Sequence, residues 1–235
     1  MRHRSLCGRG RVAAALCLAV LLCSAGAHAG TMLPVVQPYL SFADSPFFGQ
    51  TFSYFYLETY EEPGAPTSPG VSFTPGAGVV GPGPAIDSVD GGGNNGHSLF
   101  YGCGSCGITF TFNAAALGGN LPTSVGIVWT DGDPGTFGRE FQAFDQNGIL
   151  IGTIFDNTDG WYFEGDGNPE HFHFFGATNP GGISSIFIAN GGGGIEVDHL
   201  QYGFQGTVIP EPGSLLLLSS GLCGLAGVVR RKLRA

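Results

Sequence analysis

The clearest pattern along the chain is short-range alternation of apolar and polar residues, broken by glycine-rich punctuation. In Ile108-Thr109-Phe110-Thr111-Phe112 the three apolar side chains share one face of an extended segment and the two threonines share the other. The same reading predicts strands over 51–59, 125–130, 140–144, 150–155, 171–175, 185–189 and 195–204. Turn sequences separate them: Asp131-Gly132-Asp133-Pro134-Gly135, Gln146-Asn147-Gly148, Asn179-Pro180-Gly181-Gly182 and the run from Asn190 to Gly194. Asn147-Gly148, between Phe144 and the apolar run from Ile149 to Ile151, is the best hairpin signal in the chain. Helical period is absent outside the two ends, so the pattern predicts an all-β fold, a single β-sandwich or jelly roll.

The ends read differently. Arg2, Arg4, Arg9 and Arg11 precede a nearly uninterrupted apolar run from Val12 to Cys23, and Ala27-His28-Ala29 places small residues where a signal peptidase reads. Residues 1–29 are therefore expected to be a signal peptide cleaved after Ala29. At the other end Leu215 to Val229 is apolar and closes on Arg230, Arg231, Lys232 and Arg234. A transmembrane helix over 213–229 is expected, with the basic cluster on the cytoplasmic side and the preceding domain exported. Between them, 30–60 reads as an N-terminal strand region and 61–97 as a Pro/Gly-rich loop with one edge strand near Val71 to Phe73. The main sandwich is expected over 98–207.

Val208-Ile209-Pro210-Glu211-Pro212-Gly213-Ser214, the Leu-rich run and the Arg cluster together resemble the PEP-CTERM sorting signal of Gram-negative bacteria that produce exopolysaccharide. That resemblance implies recognition of Pro210, Glu211 and Pro212 by an exosortase-type membrane protease. The precursor would be anchored transiently in the inner membrane and then passed to the cell surface or extracellular matrix. The motif is physically apt, because two prolines hold φ fixed and lack amide donors, which keeps the segment extended for a protease cleft. Within the domain, pieces such as 125–131, 141–145, 174–176 and 194–202 are similar to ectodomains often found upstream of such tails. Those ectodomains look like jelly-roll carbohydrate-binding modules.

Charge narrows the partners. The chain holds 18 acidic and 9 basic residues, and 8 of the bases lie in the two ends. Between Gly30 and Pro210 the 17 acids face Arg139 alone, a formal charge of −16. Such a domain disfavours DNA, RNA and anionic membrane as partners and favours bound cations.

Carboxylates in Gly-rich turns suit Ca²⁺, so Asp131, Asp133, Asp156, Asp159 and Asp166 are candidate ligands; the alternative is that they are solubilising turn residues. Cys103-Gly104-Ser105-Cys106 has CxxC spacing. In an exported chain it reads as a local disulfide tying a turn, since a redox motif should open a helix and this one continues as strand. His171 and His173 share a face of their expected strand, and with His199 they make a metal site only if the two strands are neighbours. Trp161 and Tyr162, between acidic turns, are candidate sugar-stacking residues or else a further core strand. No nucleophile motif occurs. The expected function is a non-enzymatic surface or matrix protein whose sandwich binds polysaccharide, with possible Ca²⁺; the alternative is a secreted polysaccharide hydrolase.

Overall fold

A computed structural model describes residues 29–62, 66, 68–83, 86–90, 95–133, 135, 138–158 and 168–205. Twelve strands occur among them: β1 (Thr31–Met32), β2 (Phe52–Glu58), β3 (Val71–Phe73), β4 (Gly78–Val80), β5 (Ser98–Tyr101), β6 (Ile108–Phe112), β7 (Ser124–Asp133), β8 (Arg139–Asp145), β9 (Leu150–Asp156), β10 (His173–Thr178), β11 (Ile183–Ala189) and β12 (Gly192–Gln205). The helical elements among these residues are three short 3-10 turns, Phe42–Asp44, Gly104–Cys106 and Pro169–His171. None is long and apolar enough to cross a membrane.

The strands form two antiparallel sheets. One holds seven strands in the order β1-β10-β7-β12-β5-β4, with β2 also paired to β12; the other runs β3-β6-β11-β8-β9. The long β12 serves two neighbours on one side: Ile195 to Val197 pair with β5, and Leu200 to Gln205 pair with β2. Strands β1 to β4, from the region read as an N-terminal portion and loop, thus belong to the same sheets as everything after Ser98. The expected edge strand at Val71–Phe73 is present as β3 and pairs with β6, while β4 and β5 were not expected.

The alternation explains the layers. Ile108, Phe110 and Phe112 of β6, Phe141 and Ala143 of β8, and Ile186 and Ile188 of β11 point inward. They meet Val125, Ile127 and Trp129 of β7, Phe175 and Ala177 of β10, and Ile195 and Val197 of β12. Each such large side chain contributes about 1.5–3 kcal/mol by leaving water. A second cluster covers the far side of the seven-stranded sheet. There Tyr39 and Phe47, from the segment before β2, pack on Val128, Phe172 and Phe174.

One irregularity in β12 shapes that outer side. Ile195 and Val197 face the core, and so do Leu200 and Tyr202, so the phase slips by one residue. The slip is a β-bulge at His199, opposite the step from Val128 to Gly126, and His199 takes a left-handed backbone with φ of 46°. Asp198 and His199 consequently both lie on the outer side.

Candidate functional site

The outward face of the five-stranded sheet has no covering segment among the described residues. Register places its side chains in rows. Ser185 of β11 lies between Thr111 of β6 and Phe144 of β8, and Phe187 lies between Thr109 and Gln142. Glu140 and Gln142 in turn stand opposite Phe155 and Thr153 of β9. Hydroxyl and amide groups therefore alternate with aromatic rings, and Phe155 is 66% exposed. Phe144 and Phe187 are diagonal neighbours across adjacent strands, a spacing of about 7–8 Å.

Two recesses occupy this face. One of about 340 Å³ is lined by Thr109, Gln142, Phe144, Gly148, Ser185 and Phe187. The other, about 260 Å³, includes Ser105, Glu140, Phe155, Asn190 and Gly191. Between them the Gln142 amide donates to Glu140 Oε1 at 2.6 Å. The two recesses follow one another along β8 and β11 as an interrupted groove, and Glu140 is the carboxylate that the strand register places on it.

The disulfide loop closes one end of the groove. Cys103 and Cys106 are bonded, and Ser105 between them is exposed at the rim. The Asn190 amide donates to the carbonyls of Asp133, Gly192 and Gly194, while the Asn190 backbone N–H donates to the Gly104 carbonyl. Glycine is required at 107, where φ is 68° and a Cβ would overlap the ring of Phe187 and the carbonyl of Ile188. That close approach fixes Phe187 over the turn.

Behind the groove sits Arg139, which is fully buried. Its guanidinium stacks 3.9 Å from the centre of the Trp129 ring, and Nη1 lies 3.6 Å from Asp156 Oδ2. His173 Nδ1 approaches the same oxygen at 2.7 Å. Burial by itself would raise the Asp156 carboxyl; the hydrogen bond and charge of His173, the Thr158 hydroxyl and the charge of Arg139 outweigh it and hold the group at about 2. Because Arg139 is interior, the surface between Gly30 and Gln205 presents neither lysine nor arginine.

The opposite, covered side of the seven-stranded sheet holds a buried polar network. Tyr39 Oη is 3.1 Å from His199 Nδ1 and accepts from the Gln201 amide at 2.9 Å. His199 Nε2 lies 3.2 Å from Asp90 Oδ2. Asp198 accepts from the amides of Val89 and His199, and Glu196 accepts from the Asp87 amide and the Ser98 hydroxyl. Burial pushes Asp198 up to about 7 against the pull of the His199 ring and those amides, and it raises Glu196 as well. These groups tie the segment 86–90 to β12.

The sequence-predicted residues fall as follows. Cys103 and Cys106 form the expected local disulfide. Asp131 and Asp133 end β7, and the Asp156 side chain is engaged by His173 and Arg139. Among the described residues no three histidine, cysteine or carboxylate groups are gathered as a metal site needs. The three histidines are not brought together: His171 sits in a 3-10 turn, His173 faces Trp129 inside, and His199 lies on the outer side. β10 and β12 flank β7 and do not pair with each other. Ala29 is exposed, whereas Ala27, Asp159, Trp161, Tyr162, Asp166, Pro210, Glu211, Pro212 and the expected span 213–229 lie outside the described residues.

The open groove was not singled out from sequence. Its signal was present as aromatics at outward positions, Phe144 three residues after Phe141 and Phe187 between Ile186 and Ile188, where strict alternation calls for polar side chains.

Comparison with known proteins supplies the tail's identity. Residues 208–234 match the family described as the PEP-CTERM protein-sorting motif. The chain therefore carries a sorting signal that implies export and a membrane-anchored precursor. No curated protein matches the sequence. Among solved structures, the C-terminal family 22 carbohydrate binding module of Clostridium thermocellum Xyn10B aligns at 14% identity and TM-score 0.38, over 68% of this chain and 99% of that one. The K1 cleaved adhesin domain of Lys-gingipain from Porphyromonas gingivalis W83 aligns at 12% identity and TM-score 0.43, over 66% and 100%. A xylan-binding domain from family 22 aligns at 14% identity and TM-score 0.33, over 67% and 97%. At these scores the likenesses carry no argument about ligand, and the groove must be read from its own residues.

Proposed function

We propose that this is a non-enzymatic surface or extracellular-matrix protein, sorted and released through its PEP-CTERM tail, whose sandwich binds polysaccharide along the open face of the five-stranded sheet. The carrying observation is the groove itself. Phe144, Phe187 and Phe155 offer ring faces to the C–H faces of sugars, while Thr109, Gln142, Ser185 and Glu140 offer the hydrogen bonds that sugar hydroxyls need. With no lysine or arginine on its surface, the domain has little to hold a polyanion, so an uncharged chain suits it best.

The hydrolase reading is weaker. Glycoside hydrolysis needs a pair of carboxyl groups about 5–10 Å apart across the scissile bond. Strand register puts Glu140 on this face and no second strand carboxylate beside it. Calcium belongs to this proposal as an accessory ligand of the acidic residues, Asp131 and Asp133 among them. Affinity electrophoresis of the full chain against neutral and acidic polysaccharides, with a sugar-release assay in parallel, tests the reading. Retardation without sugar release supports it. Sugar release abolished by E140Q would replace it with the hydrolase.

A further inference from the structure

The two ends of the sandwich differ in chemistry, and the tail leaves from a particular one. Register defines the ends. Ser124 pairs with Thr178 and Gly203, and Thr31 with Thr178, while Phe52 pairs with Gln205. The start of β7, the ends of β10 and β12 and the starts of β1 and β2 therefore lie together, along with the hairpin that joins β8 to β9. Gln205 stands at this end, and its amide donates to Gln50 Oε1 at 2.8 Å. Nine residues separate Gln205 from Leu215, the first residue of the apolar run. Fully extended they reach about 30 Å.

The described loops at this end, 46–51, 113–123, 146–149 and 179–182, contain no charged residue. They carry instead exposed apolar side chains: Phe48 is 58% exposed, Ile149 64% and Leu150 49%. Asp145, the acid nearest the hairpin tip, has its carboxylate turned to the amides of Asn147 and Ile149. The opposite end is acidic: among the described residues Asp131, Asp133 and Glu170 lie there.

From this polarity we infer that the uncharged end is a membrane-apposed face: in the anchored precursor Phe48, Ile149 and Leu150 seat in the headgroup region of the bilayer that holds the tail. The inference rests on the anchored-precursor reading of residues 208–234. A short tether keeps this end within about 30 Å of the bilayer. Exposed aromatic and aliphatic side chains gain by entering the interfacial zone, and the nearest carboxylates, Asp145 and Asp44, are already held by backbone amides. The consequence is positional. The sandwich stands on its uncharged end, and the groove runs away from the membrane toward the disulfide loop.

The test uses the full chain reconstituted through its tail into phosphatidylcholine vesicles, with single tryptophan reporters I149W and F48W at the uncharged end and E170W at the acidic end. Flotation with the vesicles reports the tail; quenching by brominated lipid reports the face. The added emission of I149W and F48W should fall about twofold, since interfacial side chains reach about 5–10 Å into the headgroup region, and that of E170W should not change. A chain that floats while I149W and F48W are quenched no more than E170W overturns the inference and leaves the anchor standing. A chain that does not float overturns both. A concentration-dependent blue shift of I149W in detergent without vesicles would assign the patch to a second copy of the chain, and would also overturn it.

Discussion

Replacing Arg139 by alanine should be among the most damaging single changes in the domain, although it touches no surface. The guanidinium is fully buried, lies 3.9 Å from the centre of the Trp129 ring and faces Asp156 at 3.6 Å. A desolvated cation on an aromatic face contributes about 2 kcal/mol, and removing one partner of a buried ion pair costs about 3–5 kcal/mol because the other charge stays behind. The two overlap, since both count the same buried guanidinium, and His173 at 2.7 Å still compensates part of the Asp156 charge. The net expectation is a loss of about 3–4 kcal/mol, which for a domain of this size lowers Tm by about 6–16 °C. R139K keeps the charge but loses the planar stack and should recover about half of that loss. Near-ultraviolet circular dichroism of the full chain in detergent, followed during heating, reads the transition. An R139A variant melting within about 2 °C of the parent would refute the view that this buried cation holds the two sheets together at their acidic end.

Further outcomes follow from the same structure. Asp198 is raised to about 7 from 3.8, so its contribution is fully present below about pH 4 and is lost as pH rises through 7; D198N should flatten a pH-dependent loss of roughly 4 kcal/mol in denaturant titrations. Asp156 has the opposite sign. Held at about 2, it contributes roughly 2–3 kcal/mol above about pH 4 that disappears as pH falls through 2, and D156N should remove that acid sensitivity. G107A forces a Cβ at positive φ against the Phe187 ring and should cost at least about 1 kcal/mol by thermal melting while weakening polysaccharide retardation. Changing Pro210, Glu211 and Pro212 to alanine should leave the membrane-retained form on immunoblots; unchanged processing would contradict recognition at that motif. Millimolar Ca²⁺ should raise Tm if the acidic loops hold an ion, and an unchanged Tm removes Ca²⁺ from the account.

Much of the fold was legible because the alternation is strict where one face is core and the other is not. β6 is read from Ile108, Phe110 and Phe112 alone, and the strands at Arg139–Asp145, Leu150–Asp156 and Ile183–Ala189 fall within two residues of their expected bounds. Even the bulge at His199 is written in the spacing of Ile195, Val197, Leu200 and Tyr202, whose phase changes by one. The strands Gly78–Val80 and Ser98–Tyr101 were not legible, since three or four residues in or beside a Gly/Pro-rich stretch carry no period; Ser98–Tyr101 is held by pairing with distant β12, and Gly78–Val80 by pairing with Ser98–Tyr101.

The site was less legible than the fold for a different reason. A groove is a property of register, and only pairing brings Thr109, Phe187 and Gln142 side by side from three separate strands. Arg139 misleads in the same way. A lone arginine in an acidic domain reads as a surface charge, and its burial depends on Trp129, Asp156 and His173 converging from three other strands.

The most direct measurement of the central claim is the binding of neutral polysaccharides to the full chain and to its F187A and Q142A variants, by affinity electrophoresis over a series of polymer concentrations. Both side chains lie on the open face and neither supports the core, so the variants should melt as the parent does. The account predicts retardation of the parent by at least one uncharged polymer and about a tenfold weakening in each variant, the equivalent of about 1.4 kcal/mol. Retardation of the parent that survives both substitutions unchanged would place binding elsewhere and contradict it.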